Sequence, residues 1–259
     1  MASRFSRGKW WLAAILMLAA AALGTAIVHA ISVRALRARL VMTTPDTATE
    51  DPALNAYAIP RGRKAFTRYC ASCHGSSGQP DTVHGIPDLR DHDWLYGTGR
   101  VEEIEKVILY GIRSGNSKGW NLASMPAFAT PNPYKGYKTA SLAPEEINDL
   151  TEYLYSFQHP DADAATAARG KLAYENQSRG LCWDCHGGRA QGDPSIGAPN
   201  LSDGIWLYGD GSRPSIHASI ALGHGGSCPA WIGVLDPVTI TSLAVYTHSL
   251  SGVPTADRP

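Results

Sequence analysis

The sequence predicts an all-α protein in which one N-terminal transmembrane helix precedes two tandem copies of a small helical domain. Three observations predict it: residues 10–33 carry no charge, apolar residues elsewhere recur at spacings of three and four, and the chain matches itself at an offset of 112 residues. A length of 259 residues suffices for two such domains, each with a workable core.

The first element is the run from Trp10 to Val33, WWLAAILMLAAAALGTAIVHAISV. As a helix it is long enough to cross a hydrocarbon core of about 30 Å, and Trp10 and Trp11 suit an interfacial position. The run exceeds the apolar core of a secretory signal, about 7–15 residues, which favours a retained anchor over 10–33. The alternative is cleavage after Val28–Ala30, which also reads as a processing site. Residues 1–9 then form a short cytoplasmic N-terminus and 34–56 a linker. Six of the 23 basic residues fall in the first forty positions, which hold no acid, so the remainder of the chain is acidic by about six charges. Such a surface does not suit nucleic acid and attracts a basic protein partner at low salt.

The first copy is assigned to 57–158. Its stretch GRKAFTRYC places Ala65, Phe66 and Tyr69 on one helical stripe, and VEEIEKVILY does the same with Val101, Ile104, Val107 and Ile108. APEEINDLTEYLYSF opens with Pro144 at a first helical position and two acids in the first turn, then stripes Ile147, Leu150, Tyr153, Leu154 and Phe157. Residues 159–167, polar and alanine-rich, read as a linker. The second copy follows over 168–252, its last helix starting at Asp236 and Pro237 with Ile240, Leu243 and Tyr246 inward, and 253–259 form a tail. The copies align without a gap over a long span: Pro87 and Leu89 match Pro199 and Leu201, Trp94–Gly97 match Trp206–Gly209, and Ile104 and Gly111 match Ile216 and Gly223.

Four of the five cysteines form two C-x-x-C-H motifs, Cys70 and Cys73 with His74, and Cys182 and Cys185 with His186. This is the attachment motif of c-type haem: two thiols add across the vinyl groups as thioethers, and the adjoining histidine binds iron from one face. Two covalently attached haem c groups are therefore expected. Because haem is attached covalently on the outer side of the bacterial inner membrane, both domains are expected in the periplasm, on a single-pass anchor.

With PNLSDGIWLYG at 199–209 and LAVYTHSLSG at 243–252 beside those motifs, the chain resembles the dihaem subunit III, CcoP or FixP, of cbb3-type cytochrome c oxidases over roughly residues 57–252. The resemblance implies two tandem class I cytochrome c domains. It further implies other oxidase subunits, catalytic and monohaem, as partners, a cytochrome c as electron donor, and transfer of single electrons toward the catalytic subunit. The chain's own composition excludes oxygen reduction within it, since a haem–copper site needs several membrane helices bearing histidines and the one apolar span holds only His29. The chain is not expected to be catalytic alone.

The two irons differ. A histidine and a methionine are the usual ligands for electron transfer, because the neutral thioether favours ferrous iron. His74 is proximal in the first copy, and Met125, before a proline in ASMPAF, is the candidate distal ligand; the other methionines are Met1, Met17 and Met42. In the second copy His186 is proximal, and SCPAW stands in register with SMPAF, so Cys228 replaces the methionine and departs from the family pattern. Four arrangements are open there: Cys228 bound as thiolate, a histidine (His224 or His217) in its place, an open iron, or Cys228 modified or in an intermolecular disulfide. A thiolate would stabilise ferric iron, and axial ligation moves haem potentials over roughly 0.8 V.

The alternatives at the second iron suit other functions. An open iron would suit a dihaem peroxidase, a redox-labile Cys228 would suit a sensing cytochrome, and a subunit of a periplasmic dehydrogenase would share most of these features. His84 and His92 lie in polar loops and read as solvated, and His248 as a packing or outer residue of the last helix.

Overall fold

The computed structural model describes residues 4–131, 141–176 and 182–252, with side chains from residue 10 onward. The expected tail at 253–259 and the first three residues lie outside that range. Among the described residues ten helices follow in order: α1 (Arg4–Met42), α2 (Pro45–Glu50), α3 (Pro52–Tyr69), α4 (Ala71–His74), α5 (Val101–Tyr110), α6 (Pro144–Tyr155), α7 (Ala164–Glu175), α8 (Cys182–His186), α9 (Arg213–Leu222) and α10 (Pro237–Leu250). Only isolated bridges, and no strands, occur among the described residues, so the all-α class holds.

The N-terminal helix continues past the end of the apolar run. Trp10–Met42 form one helix whose apolar side chains, Trp10, Trp11, Leu16 and Leu18 among them, lie open, as befits a segment whose solvent is lipid. The residues expected as a linker, 34–56, are instead the end of α1, all of α2 and the start of α3, and they are packed: Leu40, Ala48 and Leu54 are fully buried with Val101, Ala244 and Val245. Local chemistry explains the helices. Thr44 and Asp51 cap α2 and α3, each before a proline at the first helical position. Asp51 also pairs with Arg39, and Arg37 reaches Asp236 at 3.6 Å, which joins the anchor to the helices beyond it. The shorter linker also turns out helical in part, since Asp163 caps α7 by accepting from the Thr166 N–H at 2.8 Å.

The packing of the helices does not follow the order of the repeats. The final helix of the second copy, α10, lies against α3 and α5 of the first, while the final helix of the first copy, α6, lies against α7 and α9 of the second. Leu243 and Tyr246 of α10 thus share a cluster with Ala65 and Phe66 of α3, whereas Ile147, Leu150 and Leu154 of α6 are buried with Tyr174, Ile216 and Ile220. Glycine permits both close crossings: a Cβ at Gly62 would sit 2.0 Å from the Ser242 carbonyl oxygen, and one at Gly170 would sit 1.9 Å from that of Asp149. Each compact unit therefore contains the first part of one repeat and the last part of the other. Because α10 is covered by α3 and α5 and again by α1 and α2, residues 240–248 are buried all round.

Candidate functional site

Each C-x-x-C-H motif occupies one turn. Cys70 closes α3 and its carbonyl accepts from the His74 N–H at 2.9 Å, so both thiols and the imidazole of α4 project from one short helix; α8 does the same for Cys182, Cys185 and His186. Gly75 and Gly187, with φ of 66° and 76°, end these turns in the left-handed region that a side chain disfavours. His186 is buried, and its Nδ1 lies 2.9 Å from the Pro199 carbonyl. Donation there fixes the tautomer and leaves Nε2 for a metal, the usual arrangement of a ligating histidine. His74 Nδ1 is buried without a partner among the described residues. Burial lowers the pKa of both imidazoles, which favours the neutral, coordinating form. Burial likewise pushes the thiols of Cys70 and Cys182 up to about 12. Paired thiols on one turn beside a neutral, oriented imidazole are the donor set that haem c requires.

The loops after the motifs interlock reciprocally. The Gly97 N–H donates to the Pro194 carbonyl at 3.0 Å and the Gly209 N–H to that of Thr82 at 2.9 Å. Tyr96 covers Gly197, and Tyr208 covers Gly85. At the ends of α5 and α9 the chain segments pass each other. Ile112 and Cys228 exchange both backbone hydrogen bonds at 2.9 Å, and Met125 and His224 exchange theirs at 2.9 and 3.0 Å. Beyond the crossing, the Trp231 N–H donates to the Ile108 carbonyl on α5, and the Phe128 N–H to that of Ile220 on α9. Arg113, at a φ of 45°, holds the crossing by donating to the carbonyls of Ala123 (2.6 Å) and Gly226 (2.5 Å), each two residues before Met125 or Cys228.

The two distal candidates each pack against helices of the other repeat. Met125, expected across from His74, packs on the cluster of Phe128, Leu150, Tyr174, Ile216 and Ile220, with Cys182 and Trp206 at its margin. Cys228, expected across from His186, lies near Cys70 and Cys73: it adds to the rise of the Cys70 pKa, and its own, pushed up to about 11 mainly by burial, is raised further by Cys73. Trp231, three residues on, packs on Tyr69 with ring centroids 5.3 Å apart. The physical reason is the exchange of the last segments of the two repeats. His224 is stacked on Tyr208 at 3.5 Å with Nε2 buried and unpartnered among the described residues, and His217 is half-buried on α9. His84 is exposed and bonded to Asp81, whereas His248 is buried with Nδ1 3.1 Å from the Gly99 carbonyl. Arg113 and the two tyrosines escaped sequence reasoning as site residues; the repeat register pairs Tyr96 with Tyr208 but does not say which loop either one covers.

Comparison with known proteins follows the same lines. The cytochrome c family profile matches residues 59–158, which supports covalently bound haem c. The chain is 41% identical over 205 residues to the cbb3-type cytochrome c oxidase subunit FixP of Bradyrhizobium sp. (strain ORS 278), covering 78% of this chain and 64% of that protein. It is 37% identical over 214 residues to subunit CcoP of Azospirillum sp. (strain B510), covering 80% and 67%. Against subunit CcoP of Rhodobacter capsulatus it is 36% identical over 227 residues, covering 85% and 71%. The chain thus spans slightly under two thirds of the length of the first of these relatives.

Proposed function

The chain belongs to the family of CcoP and FixP subunits of cbb3-type cytochrome c oxidases, and on that premise we propose that it is a membrane-anchored dihaem subunit that passes single electrons from a cytochrome c donor toward the catalytic subunit. The observation that carries this reading is the pair of equivalent turns, Cys70–His74 and Cys182–His186, each presenting two thiols and one neutral imidazole within a single interlocked body. Haem c, when bound, supplies a one-electron Fe(III)/Fe(II) couple. The residues do the rest. Cys70, Cys73, Cys182 and Cys185 would hold the two groups covalently, and His74 and His186 would fix them from one face. The reciprocal contacts of Tyr96 with Gly197 and Tyr208 with Gly85 join the two sites into one body. Such packing suits electron exchange, since it lets neither site move independently of the other.

In this reading α1 spans the inner membrane with the N-terminus inside and both haem sites in the periplasm. The contacts of Arg37 and Arg39 with Asp236 and Asp51 hold the first site close to the anchor. The acidic excess downstream of the anchor favours a basic cytochrome c as donor, and the catalytic and monohaem subunits are the assembly partners. The test is to purify the full chain from membranes, determine its mass after denaturation, and follow its reduction by cytochrome c. Two haem additions per chain and reduction that slows as salt rises are expected. A chain without covalent haem, or one that cytochrome c does not reduce, would refute the reading.

A further inference from the structure

We propose that the outward face of α3, from Arg61 to Arg68, is a docking surface for an acidic protein that takes electrons from the site at Cys70, Cys73 and His74. The inference rests on the reading of that turn as a haem site and names the face at which the site meets an acceptor. Three observations carry it. The first is charge. Residues 52–80 hold no acid, yet Arg61, Arg63, Lys64 and Arg68 fall within eight positions, and all four are exposed. Arg39, Arg90, Arg169 and Arg213 each pair with a carboxylate, whereas among the described residues none of these four does. The neighbouring α10 brings no acid either, from Pro237 to its end.

The second observation is how the cations are held. The Arg61 guanidinium lies 3.6 Å from the centroid of the Tyr57 ring and donates to the Tyr57 carbonyl at 2.8 Å. Arg63 lies over Tyr246 at 6.0 Å and Arg68 over Tyr69 at 5.5 Å. The rings place the guanidinium groups without neutralising them, so less side-chain freedom is lost when carboxylates arrive. A guanidinium fork also matches a carboxylate through two parallel hydrogen bonds. The third observation is location. α3 ends at Cys70, and Cys73 is exposed just beyond it, so the face borders the edge at which a group held by these thiols would meet a partner. The duplicated unit has no such patch: at the offset of 112 the four positions are Ala173, Glu175, Asn176 and Gly180. A fold that forms in both repeats does not need this charge in one of them.

The chain beyond the anchor is acidic, the more so once these four cations are set aside. A basic donor is therefore drawn elsewhere and repelled at α3, while an acidic acceptor is drawn to it. The step at this face is a one-electron transfer in which the first site is oxidised by one electron, the partner is reduced by one, and no bond or proton moves.

The test uses the reduced full-length holoprotein, with plastocyanin, an acidic one-electron copper protein, as the probe. The parent is compared by stopped flow with Arg61→Gln/Arg63→Gln/Lys64→Gln/Arg68→Gln and with a control, Lys171→Gln/Arg189→Gln, which removes two exposed cations nearer the second motif. Electrostatic steering raises association rates roughly 10- to 1000-fold. The four-site variant is accordingly expected to be oxidised about tenfold or more slowly at low salt, with the difference closing as salt rises. Its reduction by basic cytochrome c is expected to be no slower than the parent's, and the control is expected to keep the parental rates. Unchanged oxidation of the four-site variant, or equal slowing in the control, would overturn the surface. Acylation of Lys64 relative to Lys118, read by mass, supplies a second measure. Plastocyanin is expected to protect Lys64. No protection, or protection by phosphatidylglycerol vesicles that phosphatidylcholine vesicles do not give, would overturn the proposal, the latter by assigning the face to lipid headgroups. A chain without haem by mass, or one that cytochrome c does not reduce, refutes the haem reading itself; a dihaem chain reduced normally but oxidised alike in parent and four-site variant refutes the docking surface alone.

Discussion

Replacing Gly62 by alanine places a methyl group where α3 and α10 are in backbone contact. The new Cβ would lie 2.0 Å from the Ser242 oxygen and 2.5 Å from the Tyr246 Cβ, whereas ordinary contact begins near 3.4 Å. Neither neighbour is the end of a flexible side chain, so α10 must retreat by roughly 1 Å or more, losing dispersion contacts along the interface. Overpacking of this kind costs about 1–3 kcal/mol. If the opening of α10 from α3 controls amide exchange there, that cost raises exchange about 5- to 150-fold. Hydrogen exchange read by mass spectrometry on the holoprotein is the assay. Gly62→Ala is expected to accelerate exchange in 52–69 and 237–250 and to leave 144–155 near its parental rate. Gly170→Ala, whose Cβ meets Asp149 and Tyr153, is expected to do the converse, accelerating 144–155 and 164–175. If Gly62→Ala instead loosens 144–155, each repeat packs on its own last helix and the exchanged arrangement is wrong.

Arg113→Ala removes two charge-assisted hydrogen bonds that hold both distal loops, each worth about 1.5–3 kcal/mol. It is expected to weaken ligation at both irons together, seen as carbon monoxide binding to each ferrous haem; an effect at one iron only would deny Arg113 its place at the crossing. Arg113→Gly, which loses the same bonds but also relieves a left-handed φ of 45°, is expected to unfold at a higher temperature than Arg113→Ala. Glu152 of α6 accepts from Arg213 Nε and Nη2 of α9, at 2.7 and 2.8 Å, and this pairing holds its carboxyl below the ordinary value of 4.5. Its folded pKa is depressed, so the stabilisation is complete above the unfolded value and disappears as pH falls through the folded one. Glu152→Gln is accordingly expected to lower the melting temperature near neutral pH and to converge with the parent in acid; a difference that persists unchanged in acid would remove the ion pair as its cause.

Much of this molecule is legible in the sequence because it is local. The stripe through Ala65 and Phe66, the proline starts of α6 and α10, and the C-x-x-C-H turns are each decided by residues within a few positions of one another. The helices over 34–56 are not legible in the sequence for the opposite reason. They are short and capped by Thr44 and Asp51, but what orders them is burial of Leu40, Ala48 and Leu54 against α5 and α10, far away in the chain. The exchange of α6 and α10 leaves no local trace at all. In two repeats of common ancestry the inner faces of the last helices match, so Ile147, Leu150 and Leu154 would present the same stripe whether they packed on α3 or on α7. Only the crossing residues differ, and glycine at 111 and 223 reads equally well as an ordinary helix end.

The crossing of the loops changes what a cysteine at position 228 means. In a linear arrangement Cys228 would alter the haem remote from the anchor and leave the first iron with an ordinary methionine. With the loops crossed, the cysteine faces the site whose wall includes α3 and α10, the helices joined to α1 through Leu40, Leu54 and Val245. Each repeat supplies one C-x-x-C-H turn and one loop, carrying Met125 or Cys228, that runs along a helix end of the other repeat. The same geometry argues against reading either half as an independent module. Cut between α6 and α7, the first half would keep His74 but lose the α10 residues Leu243 and Tyr246 that bury Phe66, and the second would keep His186 but lose Leu150 and Leu154 from around Tyr174. Each half would expose a large apolar face, at about 25 cal/mol per Å², and the two are expected to fold only together.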